Sequence, residues 1–217
     1  MNKKERAKII TTELNNLYPN PPIPLDHINS YTFLVAVVLS AQSTDKKVNE
    51  LTKELFKKAY TPKKMYELGR EKIYTEIKQL GLSKQKAKNI YLLSKILNEK
   101  YNGNIPNTFE ELESLPGVGH KTSSVVMAQI FNVPSFPVDT HIHRLSQRWG
   151  LTNGNNVIQT EKDLKKIFPI SNWNKLHLQI IFYGREFCTA RGCDGTKCFL
   201  CKKLFPKRKK PFIAKKA

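Results

Sequence analysis

The chain has 217 residues, of which 40% are hydrophobic, enough for one large or two small domains with a sizeable core. No apolar run approaches the roughly 18–20 residues of a membrane span, and the charged N-terminus lacks the apolar block of a secretory signal. Lys and Arg number 37 against 18 Asp and Glu, a formal net charge of +19. That excess favours a nucleic-acid partner, although lysine enrichment from an AT-rich genome explains part of it. We expect a cytoplasmic protein with no membrane partner.

Apolar residues recur at helical spacing along the whole chain, and no run alternates as a β-strand does. Breaker segments rich in Pro, Gly and Asn separate these runs. The pattern predicts an all-α fold of roughly ten short helices. The clearest apolar sets are Val48, Leu51 and Leu55, then Ala87, Ile90, Leu93 and Leu97, and finally Leu176, Ile180, Tyr183 and Phe187.

Two Pro-rich segments, at 19–24 and 133–137, are candidate domain boundaries. They predict one helical domain over residues 22–132. The N-terminal helix, residues 1–21, would then pack with residues 133–217 in a second domain. This second domain ends in a Cys-rich loop and a basic tail. We expect the tail, Pro206 to Ala217, to be loosely ordered.

The stretch LESLPGVGHKT, residues 112–122, predicts a tight turn between two helices. A short helix ends near Leu115. The turn consists of Gly117, Val118 and Gly119, and Lys121 begins the next helix. Glycines let backbone amides approach an anion closely, and a helix N-terminus adds unsatisfied N–H groups. This segment, about 112–131, resembles a helix-hairpin-helix motif that holds a DNA phosphate without reading sequence. An ordinary helix–turn–helix connection is the alternative.

Lys121 has two interpretations, a solvated or phosphate-pairing lysine and a nucleophile. The positive end of the helix dipole and partial burial would both disfavour its ammonium form. Only a neutral amine has the lone pair that attacks a sugar carbon. We therefore expect a partly buried, nucleophilic Lys121.

Asp139 follows a proline turn and precedes a helical pattern, so it is a candidate N-cap. A carboxylate fixed at a helix start stays rigidly placed. An N-cap role and a catalytic role are therefore compatible for this residue.

LPGVGHKT followed by VDTHIHR resembles the endonuclease III branch of the helix-hairpin-helix DNA glycosylase superfamily. The resemblance covers nearly the whole chain, including LSAQSTD at 39–45, LGL at 80–82, KAKNI at 86–90 and the C-terminal cysteines. It implies two helical domains with the active-site cleft between them. It also implies a monomeric bifunctional enzyme that removes oxidised pyrimidines from damaged double-stranded DNA. Such an enzyme nicks the abasic site by β-elimination through a lysine Schiff base, without a divalent metal.

The resemblance assigns roles to single residues. Lys121 matches the Schiff-base lysine and Asp139 the essential aspartate. Gln42 and Leu82 match residues that fill the gap left by the extruded nucleotide, although alone they would be a polar helix residue and a core leucine. His141 lies in the VDTHI string and is a further DNA-binding candidate. Adenine-specific relatives lack a lysine at the position of Lys121, which favours the lyase-competent branch.

The cysteines depart from the family pattern. The family spaces its cluster ligands C-x6-C-x2-C-x5-C, whereas this chain has C-x4-C-x4-C-x2-C. If the last two cysteines are the central pair, the fourth ligand falls on Lys207. A [4Fe–4S] cluster in altered order, a zinc ion and a loop without metal all remain open. The four candidate ligands are Cys188, Cys193, Cys198 and Cys201.

Two other functions remain open on the sequence. One is a non-catalytic helix-hairpin-helix DNA-binding protein, against which the pairing of Lys121 with Asp139 argues. The other is a glycosylase with a different lesion preference, such as oxidised purines, because pocket shape sets lesion choice.

Overall fold

The computed structural model describes all 217 residues and contains twelve α-helices, one 3₁₀ helix and no strand, which confirms the all-α expectation. None of these helices has both the length and the apolar character required to cross a membrane. The α-helices are α1 Lys3–Leu17, α2 Ser30–Ser40, α3 Asp45–Lys58, α4 Pro62–Leu68, α5 Arg70–Ile77, α6 Ser83–Lys100, α7 Phe109–Glu113, α8 His120–Gln129, α9 Thr140–Arg148, α10 Val157–Ile167, α11 Trp173–Glu186 and α12 Phe199–Leu204; the 3₁₀ helix is Ile170–Asn172.

The chain folds into two compact units. One is Ile23–Val133, and the other combines Met1–Pro22 with Pro134–Ala217. Each unit has its own cluster of buried apolar residues.

The unit Ile23–Val133 is built around α2. Every residue from Tyr31 to Leu39 is buried, because the segment is apolar on all sides and therefore stays in the core. Asn29 caps this helix, accepting a hydrogen bond from the Thr32 backbone N–H at 2.9 Å. Helices α3, α6 and α8 pack on α2 through their apolar faces. This packing fixes the ends of α2, α6 and α8, where the DNA-binding candidates lie.

The second unit joins the two ends of the chain. Ile10 and Leu14 of α1 are fully buried, and α1 packs on α11 and α12. Helix α9 packs on α11 around Trp149, which is also fully buried. This packing positions the start of α9 and the cysteine loop.

The C-terminal tail makes hydrogen bonds to its own unit. The Gln147 side chain donates to the Lys215 carbonyl at 3.1 Å and accepts from the Lys215 N–H at 2.8 Å. Upstream, the Phe212 N–H donates to the Asp194 carbonyl at 2.7 Å. Paired backbone groups give the segment a defined path despite its polar, basic composition.

Candidate active site and DNA-binding residues

The turn between α7 and α8 is held by its apolar residues and exposes its glycines. Leu115 and Val118 are 2% and 5% exposed, and the Val118 N–H donates to the Leu115 carbonyl at 3.1 Å. Gly117 has φ +81°, and a Cβ there would lie 2.7 Å from the Asn89 side-chain nitrogen. Glycine is therefore required at this position by both conformation and space.

Helix α8 begins without a side-chain cap, because its N-cap residue is Gly119. Gly119 is exposed, and a Cβ there would meet nothing within 4 Å. The positive end of the helix dipole and the first N–H groups of α8 are thus arranged to receive an anion.

Glu113 ties the end of α7 to the first turn of α8. Its carboxylate accepts a hydrogen bond from Ser123 Oγ at 2.7 Å and lies 3.1 Å from His120 Nδ1. The hydrogen bond from Ser123 is the main cause that holds the pKa of Glu113 below its usual value, and the contact with His120 lowers it further. No local sequence pattern indicates this link, because it joins residues that only the folded hairpin brings together.

Lys121 lies in the first turn of α8, and its side chain is exposed. The partial burial expected for it is wrong, because the buried face of α8 begins only at Ser123. The amine is therefore accessible from solvent beside the open glycine-rich turn.

Asp139 is the N-cap of α9. Its Oδ1 accepts a hydrogen bond from the Ile142 N–H at 2.8 Å, and the residue is half-buried. Phe136 and Val138, just before it, are buried and anchor the approach to the helix. The carboxylate is therefore held in one place by both the cap and the packing below it.

His141, two residues further on, packs within its own unit. Its Nδ1 lies 3.2 Å from the Arg144 guanidinium, and a Cβ on Gly184 would lie 3.1 Å from the same nitrogen. Burial lowers the pKa of His141, with nearby Asp139 opposing the shift. The geometry thus presents a half-buried imidazole beside Asp139.

Gln42 and Leu82 lie on two adjoining loops of the unit Ile23–Val133. A Cβ on Gly81 would lie 3.7 Å from the Gln42 carbonyl oxygen. Both residues adopt positive φ angles, 54° for Gln42 and 58° for Leu82. Leu82 is 59% exposed, so its reading as a core leucine is wrong, and Gln42 is exposed just beyond the end of α2. Residues held in such sparsely populated backbone conformations often lie at functional sites.

The structure brings the four cysteines together. All four are buried, and their Sγ atoms lie within 4.8 Å of one another. Cys188 follows α11, Cys198 precedes α12, Cys201 lies within α12, and Cys193 comes from the loop between these helices. Cys193 thus supplies the fourth thiol of the group, whereas Lys207, where the family spacing would place a ligand, is exposed.

In residue type, this donor set fits a [4Fe–4S] cluster. Four thiols buried side by side are stable as thiolates only with a cation among them. The Arg148 guanidinium donates to Cys188 Sγ at 3.3 Å, the kind of outer hydrogen bond that orients a ligand sulfur. The same four thiolates also suit zinc.

The sequence profile of the HhH-GPD superfamily of base excision DNA repair proteins matches residues 35–170. The chain belongs to this superfamily. Membership confirms the class expected from the sequence, a base-excision DNA glycosylase with an associated lyase.

Curated relatives place the chain beside endonuclease III within that class. It is 46% identical to endonuclease III of Rickettsia prowazekii over 81% of this chain and 84% of the relative. It is 42% identical to endonuclease III of Escherichia coli strain K12, over 92% of this chain and 94% of the relative. A solved structure of a trapped endonuclease III–DNA covalent intermediate is 39% identical. That structure matches with a TM-score of 0.85 over 94% of this chain and 99% of its own.

Proposed function

We propose that this protein removes oxidised pyrimidines from double-stranded DNA and then cleaves the abasic strand, with Lys121 as nucleophile. The observation that carries the proposal is the exposed Lys121 in the first turn of α8, directly after an uncapped, glycine-rich turn. The same first turn therefore offers an anion site for the DNA backbone and an amine for the sugar next to it.

DNA is held through its backbone in this proposal. The amides around Gly117 and Gly119 bind a phosphate, and buried Leu115 and Val118 keep the turn rigid beneath them. The net charge of +19 supplies the long-range attraction.

Chemistry on a base requires the nucleotide to leave the stack first. Leu82 projects an apolar side chain and Gln42 a polar one from adjoining loops. We assign them to the space that the extruded nucleotide vacates, where Leu82 stacks and Gln42 contacts the orphaned base.

The Lys121 amine then attacks C1′ as the bond from C1′ to the base breaks, and the base leaves with the bonding electrons as an anion that water protonates. Asp139 stabilises the positive charge that develops on the sugar and accepts the lysine proton. The lysine nitrogen then expels O4′ from C1′, and O4′ takes up the proton held by Asp139 as the sugar ring opens to an iminium. This iminium acidifies a C2′ hydrogen, whose loss expels the 3′ phosphate by β-elimination. These steps require no divalent metal. We assign His141, half-buried beside Asp139 at the start of α9, to contact with the DNA.

We further propose that Cys188, Cys193, Cys198 and Cys201 hold a [4Fe–4S] cluster. The cluster would supply a structural staple for the loop between α11 and α12 and takes no part in the lysine chemistry. Anaerobically purified protein should be brown, with roughly four irons per chain, and Cys193→Ser should bleach it. Zinc in place of iron, or active protein without metal, would overturn the cluster assignment and leave the enzyme assignment standing.

An enzyme with this substrate works where the chromosome is. We therefore place the protein in the cytoplasm, on the nucleoid in the case of a bacterium, acting as a monomer.

Borohydride trapping tests the proposed function. Wild-type protein incubated with a thymine glycol duplex and borohydride should form a covalent adduct, because borohydride reduces the Schiff base. Lys121→Gln should abolish this adduct while binding to an abasic-analogue duplex persists. Lys8→Gln, which alters an exposed lysine of α1, is the matched control and should trap normally.

The same assay separates the alternative functions. A protein that binds duplex but never forms an adduct would be a non-catalytic DNA-binding protein. A protein that traps on 8-oxoguanine but not on thymine glycol would have a purine preference.

A further inference from the structure

Lys86 is a buried lysine without an assigned role. It is 4% exposed, whereas Lys84 and Lys88 on the same helix are exposed. A lysine is rarely buried to this extent without a specific partner. Its Nζ donates a hydrogen bond to Ser43 Oγ at 3.0 Å, and burial lowers the pKa of Lys86.

The Lys86–Ser43 hydrogen bond joins the two loops that carry Gln42 and Leu82. Ser43 directly follows Gln42, and the Ser43 N–H donates to the Ser40 carbonyl at 3.1 Å, which closes the turn after α2. Lys86 lies one helical turn after Leu82, and its N–H donates to the Leu82 carbonyl at 2.9 Å. The side chain of Lys86 therefore connects the start of α6 to the end of α2, across 43 residues of sequence.

Both loop residues are in conformations that need support. Positive φ angles are unfavourable for residues with a side chain, and leucine rarely adopts them. Such conformations persist only where surrounding contacts over-determine them. The exposed side chains of Gln42 and Leu82 cannot supply that support themselves, whereas a half-buried hydrogen bond that joins the two loops can.

We propose that Lys86 is a positioning residue that holds the Gln42 and Leu82 loops together in the shape that fills the gap in the duplex. The proposal rests on the gap-filling function proposed for those two residues. Lys86 touches neither the reacting sugar nor the base. It fixes the two side chains before DNA arrives, so that little ordering cost remains at binding.

The test compares substrates that do and do not require gap filling. Lys86→Met keeps the length of the side chain and removes its donor. It should lower kcat/KM for lesion excision from duplex by between about 10- and 100-fold, the effect of misplacing a positioning group. Its lyase activity on an abasic site in single-stranded DNA should stay within about twofold, because a single strand has no partner base to contact. Lys86→Arg, which retains a donor, should restore part of the duplex activity.

Three further variants guard against a purely structural effect. Lys84→Met and Lys88→Met remove the same charge from exposed positions on α6 and should leave both activities unchanged. Ser43→Ala removes the acceptor and should reproduce the duplex-selective loss even if Lys86→Met folds poorly. The double variant Lys86→Met/Ser43→Ala should lose no more duplex activity than the more impaired of the two single variants, because both substitutions remove the same interaction.

The outcomes are distinct. Equal losses on duplex and single strand in Lys86→Met and Ser43→Ala would make Lys86 merely structural and overturn the proposal. If Leu82→Ala shows the duplex-selective loss and neither Lys86→Met nor Ser43→Ala does, the Lys86 proposal alone is wrong. If Leu82→Ala and Gln42→Ala also show none, the gap-filling function is wrong and the Lys86 proposal falls with it.

Discussion

Helices α8 and α9 start with nearly the same backbone conformation, but only α9 has a side chain that caps its first amides. Gly119, the N-cap of α8, has φ −101° and ψ 179°, and Asp139, the N-cap of α9, has φ −100° and ψ −176°. Each follows a turn whose apolar residues are buried. The α8 start has no side chain over its amides, whereas Asp139 covers the α9 start and accepts the Ile142 N–H.

The difference is one side chain, and it decides what each helix start can bind. The α8 amides carry no side-chain cap and suit a phosphate from DNA. The α9 amides already have an internal carboxylate, whose charge the helix dipole stabilises. In the proposed mechanism the α8 start receives the DNA phosphate and the α9 start holds the anion that stabilises the cationic transition state.

The largest effect should come from removing the charge of Asp139 while retaining its cap. Asparagine caps helices as well as aspartate does, so Asp139→Asn should fold normally. We expect turnover on lesion duplex to fall by about 10²- to 10³-fold, the usual cost of losing one electrostatic stabiliser. Single-turnover kinetics measure this, and binding of an abasic-analogue duplex should remain near wild type. Turnover within a few-fold of wild type would make Asp139 a cap and nothing more.

Placing an aspartate N-cap, like that of α9, at the start of α8 should block the proposed phosphate site. No atom obstructs a side chain at Gly119, so Gly119→Asp should fold and gain a few tenths of a kcal/mol of helix stability. Duplex affinity should fall about tenfold or more, because the new carboxylate occupies the amides and repels phosphate. Fluorescence anisotropy against salt provides the measurement. The slope of log K against log salt should become shallower by about 0.9 for each phosphate that the variant fails to neutralise.

Gly119→Asn separates the two causes of that weaker binding. It blocks the same amides without adding charge, so it should weaken binding less than Gly119→Asp does. Unchanged affinity in both variants would show that DNA does not contact the start of α8.

Gly117→Ala should disturb the turn itself. Alanine at φ +81° costs about 1–2 kcal/mol, and its Cβ would lie 2.7 Å from the Asn89 side chain. We expect a lower free energy of unfolding in urea and a reduction of duplex affinity smaller than that of Gly119→Asp. Wild-type stability in this variant would contradict the requirement for glycine.

The smallest effect should be the cap energy of Asp139. Asp139→Ala should lower the free energy of unfolding by about 1 kcal/mol, measured by urea denaturation. Asp139→Asn should not lower it, because asparagine retains the cap. Equal stability of the wild type, Asp139→Ala and Asp139→Asn would show that the cap contributes nothing.

The sequence could predict the helices, the hairpin and the N-cap at Asp139, because each depends on local patterns. Apolar periodicity locates a helix, and a Pro-Gly turn or an N-cap is a property of a few adjacent residues. The exposed position of Leu82 contradicts the interpretation of that residue from the sequence alone, because an apolar side chain does not itself indicate burial.

The remaining features depend on contacts between distant segments. The exposure of Lys121 depends on where the buried face of α8 begins. The grouping of Cys193 with the other cysteines, the Lys86–Ser43 hydrogen bond and the pairing of Gln147 with the tail each join loops whose approach no local pattern encodes.

The central claim is that the amine at the start of α8 becomes bonded to the sugar. Mass spectrometry of the protease-digested, borohydride-reduced adduct identifies the modified residue directly. We expect the sugar remnant on the peptide that contains Lys121, and on no other peptide. A remnant on another lysine, or on the N-terminal amine, would contradict the assignment of α8 as the reactive helix start.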